Sequence, residues 1–320
     1  MQTIITESRG MSGSSQMPEL RFVDVPGPVS SSGQQRRLAY WDWVPQQGAD
    51  AHRVVVCVHG LSRQGRDFDV LASTLTGQAR VIAVDVAGRG FSDWLADPMS
   101  YQVGTYAADA GSLIAGLRSE DPMLQIDWVG TSMGGLIGMA LAAQPAMRIR
   151  RLVLNDVGPV LQWEALRRIG TYLGLNPSFA SEQEAVDYLW SISSSFGPHS
   201  PQQWMALSHP MLRERDGRWW LHYDPALAVP IRAMTDMDES VGRKLVADGE
   251  AALWALYDAI SAPTLLLRGA DSDLLTRETA KTMSDRGPRA RCVEFPGVGH
   301  APTLVAPDQV ASVVGFLGQA

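Results

Sequence analysis

The chain has 320 residues, 45% of them hydrophobic and 19% charged, with a formal net charge of -7. That apolar share can fill one large core and argues against disorder, while the acidic balance argues against nucleic acid or an anionic membrane as the main partner. No uninterrupted apolar run approaches the roughly 20 residues that cross a bilayer, and the first residues lack the basic-then-apolar layout of a secretory signal, so a cytoplasmic protein is expected.

Residues 1–18 are small and polar without periodicity and are expected to form a flexible tail. Segments 20–25 and 36–44 alternate apolar with polar residues and read as a hairpin-like pair, joined by a loop containing Pro26, Pro28 and Gly33. Segment 53–58 is instead a continuous, largely β-branched run, suited to a strand buried on both faces of a parallel sheet. It ends in His59-Gly60-Leu61-Ser62. A short amphipathic helix at 67–75 leads to a second buried strand at 80–84, which runs into Asp85-Val86-Ala87-Gly88-Arg89-Gly90-Phe91-Ser92. A further helix is expected over 105–117.

The next stretch is a short apolar strand, then Gly130-Thr131-Ser132-Met133-Gly134, then a helix of small residues. A Gly-x-Ser-x-Gly turn in that setting is a nucleophile elbow, which makes Ser132 the expected nucleophile. So tight a turn strains the residue that carries the nucleophile, and side chains at 130 and 134 would collide with neighbouring backbone. The free N–H groups and dipole at the helix start favour negative charge beside the serine oxygen, with Met133 N–H best placed to serve.

After a strand at 150–154, ending in Asn155-Asp156, the next clear strand is 264–268. A gap of about a hundred residues is far longer than an ordinary crossover, so an insertion is expected. Trp163, Tyr172, Tyr188, Trp190, Trp204, Trp219 and Trp220 punctuate it among helix-like segments, and it reads as a helical cap over 158–245. The main domain then comprises 19–157 and 246–320, re-entered through a helix at 243–260. Strand 264–268 meets Gly269-Ala270-Asp271-Ser272-Asp273, a helix follows at 277–283, strand 291–295 meets Gly299-His300-Ala301-Pro302, and a helix at 308–317 closes the chain. Cys57 and Cys292 sit in separate strand-like stretches without partners at metal-ligand spacing, so both read as small structural residues and no metal site is expected.

A serine hydroxyl is a poor nucleophile unless a histidine takes its proton and a carboxylate orients that histidine. The chain offers Ser132, then Asp271 or Asp273, then His300, each just beyond an expected strand. Together with His59-Gly60, Asp85-x-x-Gly88-x-Gly90-x-Ser92, Gly130-x-Ser132-x-Gly134 and Gly299-His300-x-Pro302, this order resembles the α/β-hydrolase superfamily from about residue 20 to 318. The resemblance implies an α/β fold: a mostly parallel, doubly wound eight-stranded sheet with a helical cap inserted after the sixth strand. It also implies a cofactor-independent hydrolase whose oxyanion hole is made by the N–H groups of Leu61 and Met133, with His59 shaping that loop.

In that family the acid commonly stands three residues after a strand-ending glycine, a position held here by Ser272. Asp273 is the expected acid because it leads into the following helix, and Asp271 is the alternative. Asp85 and Asp156 are expected to make loop-stabilising hydrogen bonds, although some relatives take the acid from the sixth strand. His199, His209 and His222 in the cap are expected to be surface or core residues. The activity implied is a serine esterase that cleaves carboxylic esters of small molecules with an apolar part through an acyl-enzyme. The same triad also serves carbon–carbon bond hydrolases and cofactor-free haloperoxidases or perhydrolases, and the fold also serves as a non-catalytic ligand receptor.

Overall fold

The computed structural model describes residues 17–28 and 35–319. The expected tail lies outside these residues except for its last two positions, as does Gly33 of the first loop.

Strands β1 (Glu19–Pro26) and β2 (Gln35–Trp43) pair antiparallel, and the parallel part of the sheet then begins with β3 (Arg53–Val58), every residue of which is buried. Helix α1 (Asp69–Leu75) connects to β4 (Arg80–Asp85), α2 (Val103–Glu120) to β5 (Gln125–Thr131), and α3 (Met133–Ala142) to β6 (Ile149–Asn155). The insertion carries α4 (Trp163–Tyr172), β7 (Ser178–Phe179), α5 (Glu182–Ser193), α6 (Pro201–Ser208), β8 (Leu212–Arg215), β9 (Arg218–Leu221) and α7 (Ala228–Thr235). Helix α8 (Glu239–Asp258) returns the chain to β10 (Thr264–Gly269), α9 (Arg277–Asp285), β11 (Arg291–Phe295) and α10 (Pro307–Leu317).

The main sheet has eight strands in the order β1-β2-β4-β3-β5-β6-β10-β11. Only the β1–β2 and β2–β4 pairings are antiparallel. Alternation along each central strand sends successive side chains to opposite layers. Val54, Val56, Val58, Ile126, Trp128, Leu152 and Leu154 join the layer that includes residues of α2 and α3, while Val55, Cys57, Val129, Val153, Leu265 and Leu267 join the layer built on α1 and α10. Burying each such side chain stabilises the fold by roughly 1.5–3 kcal/mol relative to leaving it in water. Parallel strands place all their carboxyl ends on one edge, and it is there that a doubly wound sheet gathers its functional loops.

The insertion differs from expectation in one respect: it also contains a three-stranded antiparallel sheet, β7-β9-β8. Its β8–β9 turn is Asp216-Gly217, both with positive φ (52° and 70°), a pairing that favours a two-residue hairpin. The expected cap boundary at 245/246 falls inside α8, which runs unbroken for 20 residues. No helix among the described residues is long and apolar enough to cross a membrane.

Candidate active site

Ser132 sits between β5 and α3 with φ 51° and ψ -115°, a strained conformation for a residue with a β-carbon. The neighbouring glycines make it feasible. A β-carbon on Gly130 would stand 2.2 Å from the carbonyl oxygen of Gly134, and one on Gly134 would stand 2.0 Å from that of Val58. Both contacts are with backbone that cannot retreat. Met133 is the first residue of α3, so its N–H has no carbonyl partner within the helix.

His300 follows β11 and reaches Ser132 from the far side of the strand ends. Its Nε2 lies 2.9 Å from Ser132 Oγ, and its Nδ1 lies 2.7 Å from Asp156 Oδ2. A carboxylate can only accept, so Nδ1 carries the proton and Nε2 is left to accept from the serine hydroxyl. The loop that presents His300 is pinned on two sides, by Asn155 and by the insertion. Asn155 Nδ2 donates to Pro302 O (2.8 Å) and to Thr131 Oγ1 (3.0 Å), and Gly299 N–H donates to Ser195 O of the insertion (2.6 Å). Gly269 must lack a side chain for that loop to pass, since a β-carbon there would come within 2.2 Å of Gly299 O.

The acid is where the structure corrects the sequence reading. Asp273 makes an ion pair with Arg168 (2.7 Å), with half of its side chain exposed. Asp156 is instead fully buried at the end of β6, with φ 56°, and accepts from Gly269 N–H (2.8 Å), Ser272 Oγ–H (2.6 Å) and His300. The side chain at the family's usual acid position, Ser272, thus donates to the carboxylate rather than supplying it. The second expected alternative, Asp271, contributes its backbone N–H to Val298 O (2.9 Å).

The loop after β3 forms the opposite wall. His59 is fully buried, accepts at Nε2 from Val86 N–H (3.0 Å) and donates from Nδ1 to Gly60 O (2.6 Å). Burial first, and the nearby Arg89 charge second, push its pKa down to about 3, so it stays neutral and holds the Gly60–Leu61 loop against β4. Arg89, which sequence reasoning passed over as the middle of a Gly-x-Gly turn, is also fully buried. It donates to Leu61 O (2.8 Å) and Ala87 O (2.6 Å), lies 3.5 Å from Met133 Sδ and faces the Tyr106 ring at 4.9 Å. One side chain therefore braces both residues expected to supply oxyanion N–H groups. Asp85 accepts from Gly65 N–H and Phe91 N–H, and burial raises its pKa to about 6. It ends β4 and holds the loops around it, the loop-stabilising role expected of it.

Ser132 and His300 open into a cavity of about 90 Å³. Leu61, Ile169, Leu189, Ile192, Phe196 and Met211 supply much of its apolar wall. No tryptophan of the insertion lines it; Tyr172 and Tyr223 do. Trp163 packs on Gly242, and Trp190 and Trp204 stack edge to face 5.0 Å apart, so the tryptophans brace the insertion itself. His199, His209 and His222 bond Thr303, Glu182 and Arg213, and none of them lines the cavity.

Residues 55–313 match the alpha/beta hydrolase family. The chain belongs to that family. It is 49% identical over 304 residues to the 3-hydroxybutyrate-oligomer hydrolase of Cupriavidus necator, an alignment covering 93% of this chain and 97% of that one. It is 29% identical to the 2-hydroxymuconate semialdehyde hydrolase of a Pseudomonas species, covering 77% and 79%. Among solved structures, an alpha/beta hydrolase from Novosphingobium aromaticivorans superposes with a TM-score of 0.77 at 32% identity, covering 94% of this chain and 98% of that one. The eight-stranded sheet is thus that of an alpha/beta hydrolase.

Proposed function

We propose that this alpha/beta hydrolase is a serine esterase that cleaves short carboxylic esters, with 3-hydroxybutyrate oligomers as its substrate class, through Ser132, His300 and Asp156. The observation that carries the reading is the continuous hydrogen-bonded relay from Ser132 Oγ through the His300 ring to the buried Asp156. Ser132 Oγ attacks the ester carbonyl as its proton passes to His300 Nε2, and the N–H groups of Leu61 and Met133 hold the oxyanion. Collapse returns that proton to the departing alkoxide and leaves an acyl-enzyme. Water, deprotonated by the same Nε2, then releases the carboxylic acid and restores the serine. The insertion from residue 158 to the start of α8 acts as the cap that closes the pocket, and the unpaired Cys57 and Cys292 agree with a cytoplasmic setting. The oligomer reading rests on the 49% identical relative, and carbon–carbon bond cleavage on the same triad is the alternative. Fluorophosphonate labelling followed by peptide mapping tests the mechanism. Modification of Ser132 alone, with a burst on an activated ester, is the expected result, and an unlabelled Ser132 in the folded protein refutes it.

A further inference from the structure

The residues lining the cavity include two arginines, Arg63 and Arg168, and no aspartate or glutamate, in a chain whose net charge is -7. Each arginine is backed by one aspartate outside that lining. Arg63 Nε and Nη2 hold Asp67 at 2.7 and 2.6 Å, Nη2 also donates to Leu207 O (3.0 Å), and Arg168 holds Asp273. The two differ in one respect. Arg168 is 42% exposed at its side chain, whereas Arg63 is 9% exposed and its Nη1 is buried with no hydrogen-bond partner among the described residues. A buried guanidinium N–H left unpaired is costly, and such groups are normally satisfied by a partner.

Arg63 and Ser132 both flank Gly60 and both line the cavity. Arg63 Cγ and Ser132 Cβ lie 3.9 and 3.7 Å from the point where a β-carbon on Gly60 would sit, and the Arg63 guanidinium carbon lies 5.8 Å from the ring of the cavity residue Phe196.

Resting on the ester-hydrolase reading, we propose that Arg63 Nη1 is the anchor for a free carboxylate on the substrate, so that the enzyme selects acidic esters over neutral ones. Asp67 fixes the guanidinium plane from behind, as a bidentate partner does, and leaves the third corner for a ligand. Arg168, at the end of the cavity formed by α4, adds positive potential without making the defining bond.

The test compares a linear hydroxy-acid dimer bearing a free carboxylate with its carboxamide, which is isosteric and neutral. The wild-type enzyme should favour the acid by tenfold or more in kcat/KM, with the preference declining as salt rises. In Arg63→Gln combined with Asp67→Asn, which avoids leaving a lone buried carboxylate, the ratio should collapse toward one; in Arg168→Gln it should fall by less than about threefold. Equal cleavage of the two dimers by wild type overturns the proposal, as does a ratio that survives the Arg63 double variant or is lost only with Arg168. Calorimetric titration of Ser132→Ala with the hydroxy-acid monomer gives a readout independent of turnover. Binding that disappears with the Arg63 double variant supports the anchor even if neither dimer is cleaved, an outcome that would sink the ester-hydrolase reading instead. No binding by Ser132→Ala overturns the anchor itself.

Discussion

Replacing Asp156 by asparagine discriminates most sharply between the arrangement in the structure and the one expected from sequence. Asp156 Oδ1 accepts from Gly269 N–H, and Oδ2 accepts both from Ser272 Oγ–H and from His300 Nδ1–H. In the amide one position becomes an NH₂ group. If the amide oxygen keeps the Gly269 N–H, the NH₂ faces His300, which can then only accept at Nδ1. The ring proton moves to Nε2, where it points at Ser132 Oγ in place of a lone pair, and the base is lost. Such a tautomer switch costs about 10⁴-fold in kcat, or about 5.5 kcal/mol in the barrier.

Asp273→Asn, in contrast, breaks an ion pair between groups that are 42% and 50% exposed, an interaction worth about 0–1 kcal/mol, so its turnover should stay within about fivefold of wild type. Both variants would be assayed on one p-nitrophenyl ester, with circular dichroism confirming the fold. A folded Asp156→Asn variant that keeps more than about a tenth of wild-type kcat, or an Asp273→Asn variant that is the crippled one, refutes Asp156 as the partner of His300.

Three further outcomes follow from particular contacts. Arg89→Met removes the donors to Leu61 O and Ala87 O; stability should fall by about 2–4 kcal/mol and kcat by roughly 10²-fold with KM nearly constant, because one oxyanion N–H loses its support, whereas a kcat within threefold of wild type would contradict this. His59, lowered from 6.5 to about 3, refuses a proton that the unfolded chain accepts, so its stabilisation is complete above about pH 6.5 and is lost at about 1.4 kcal/mol per pH unit as pH falls toward 3. Asp85, raised to about 6, acts with opposite sign in part of the same window, so the quantity to measure by urea titration is the difference in slope between wild type and His59→Gln from about pH 4 to 6, and equal slopes would refute the assignment. Phe196→Ala should shift ester preference toward longer chains by about fourfold in kcat/KM for each methylene newly buried, about 0.8 kcal/mol; an unchanged chain-length profile on p-nitrophenyl esters would take Phe196 out of the pocket wall.

Features set by local sterics were readable in the chain. The continuous run at 53–58 can only be a strand covered on both faces, and Gly130 and Gly134 are required by carbonyl oxygens 2.2 and 2.0 Å from their absent β-carbons. Features set by how separate segments meet were harder to read. Asp216-Gly217 carried a hairpin signal that the surrounding aromatic residues hid, and the helical reading of the insertion missed its small sheet. The cavity arginines had no sequence signature, since an arginine two residues beyond Leu61 is as compatible with a solvated loop as with a pocket wall.

The acid shows why this last kind of information stays out of reach. Strands β6 and β10 are adjacent and parallel, with Asn155 opposite Leu267, and Asp156 N–H donates to Leu267 O at 2.8 Å. The residues leaving both strands therefore start from the same point beneath His300, and a carboxylate from either one can reach its Nδ1. What decides between them is a positive φ at Asp156 that turns its side chain toward the histidine, together with the Gly269 N–H and Ser272 hydroxyl that receive it. Ser272 at the customary acid position was the one legible sign. Sequence reasoning treated it as an offset of one residue and moved the acid to Asp273, whereas a hydroxyl at that point supplies a donor and therefore calls for a carboxylate from the neighbouring strand. The carboxylate that meets His300 Nδ1 therefore comes from the end of β6, and the loop after β10 supplies the donors that hold it.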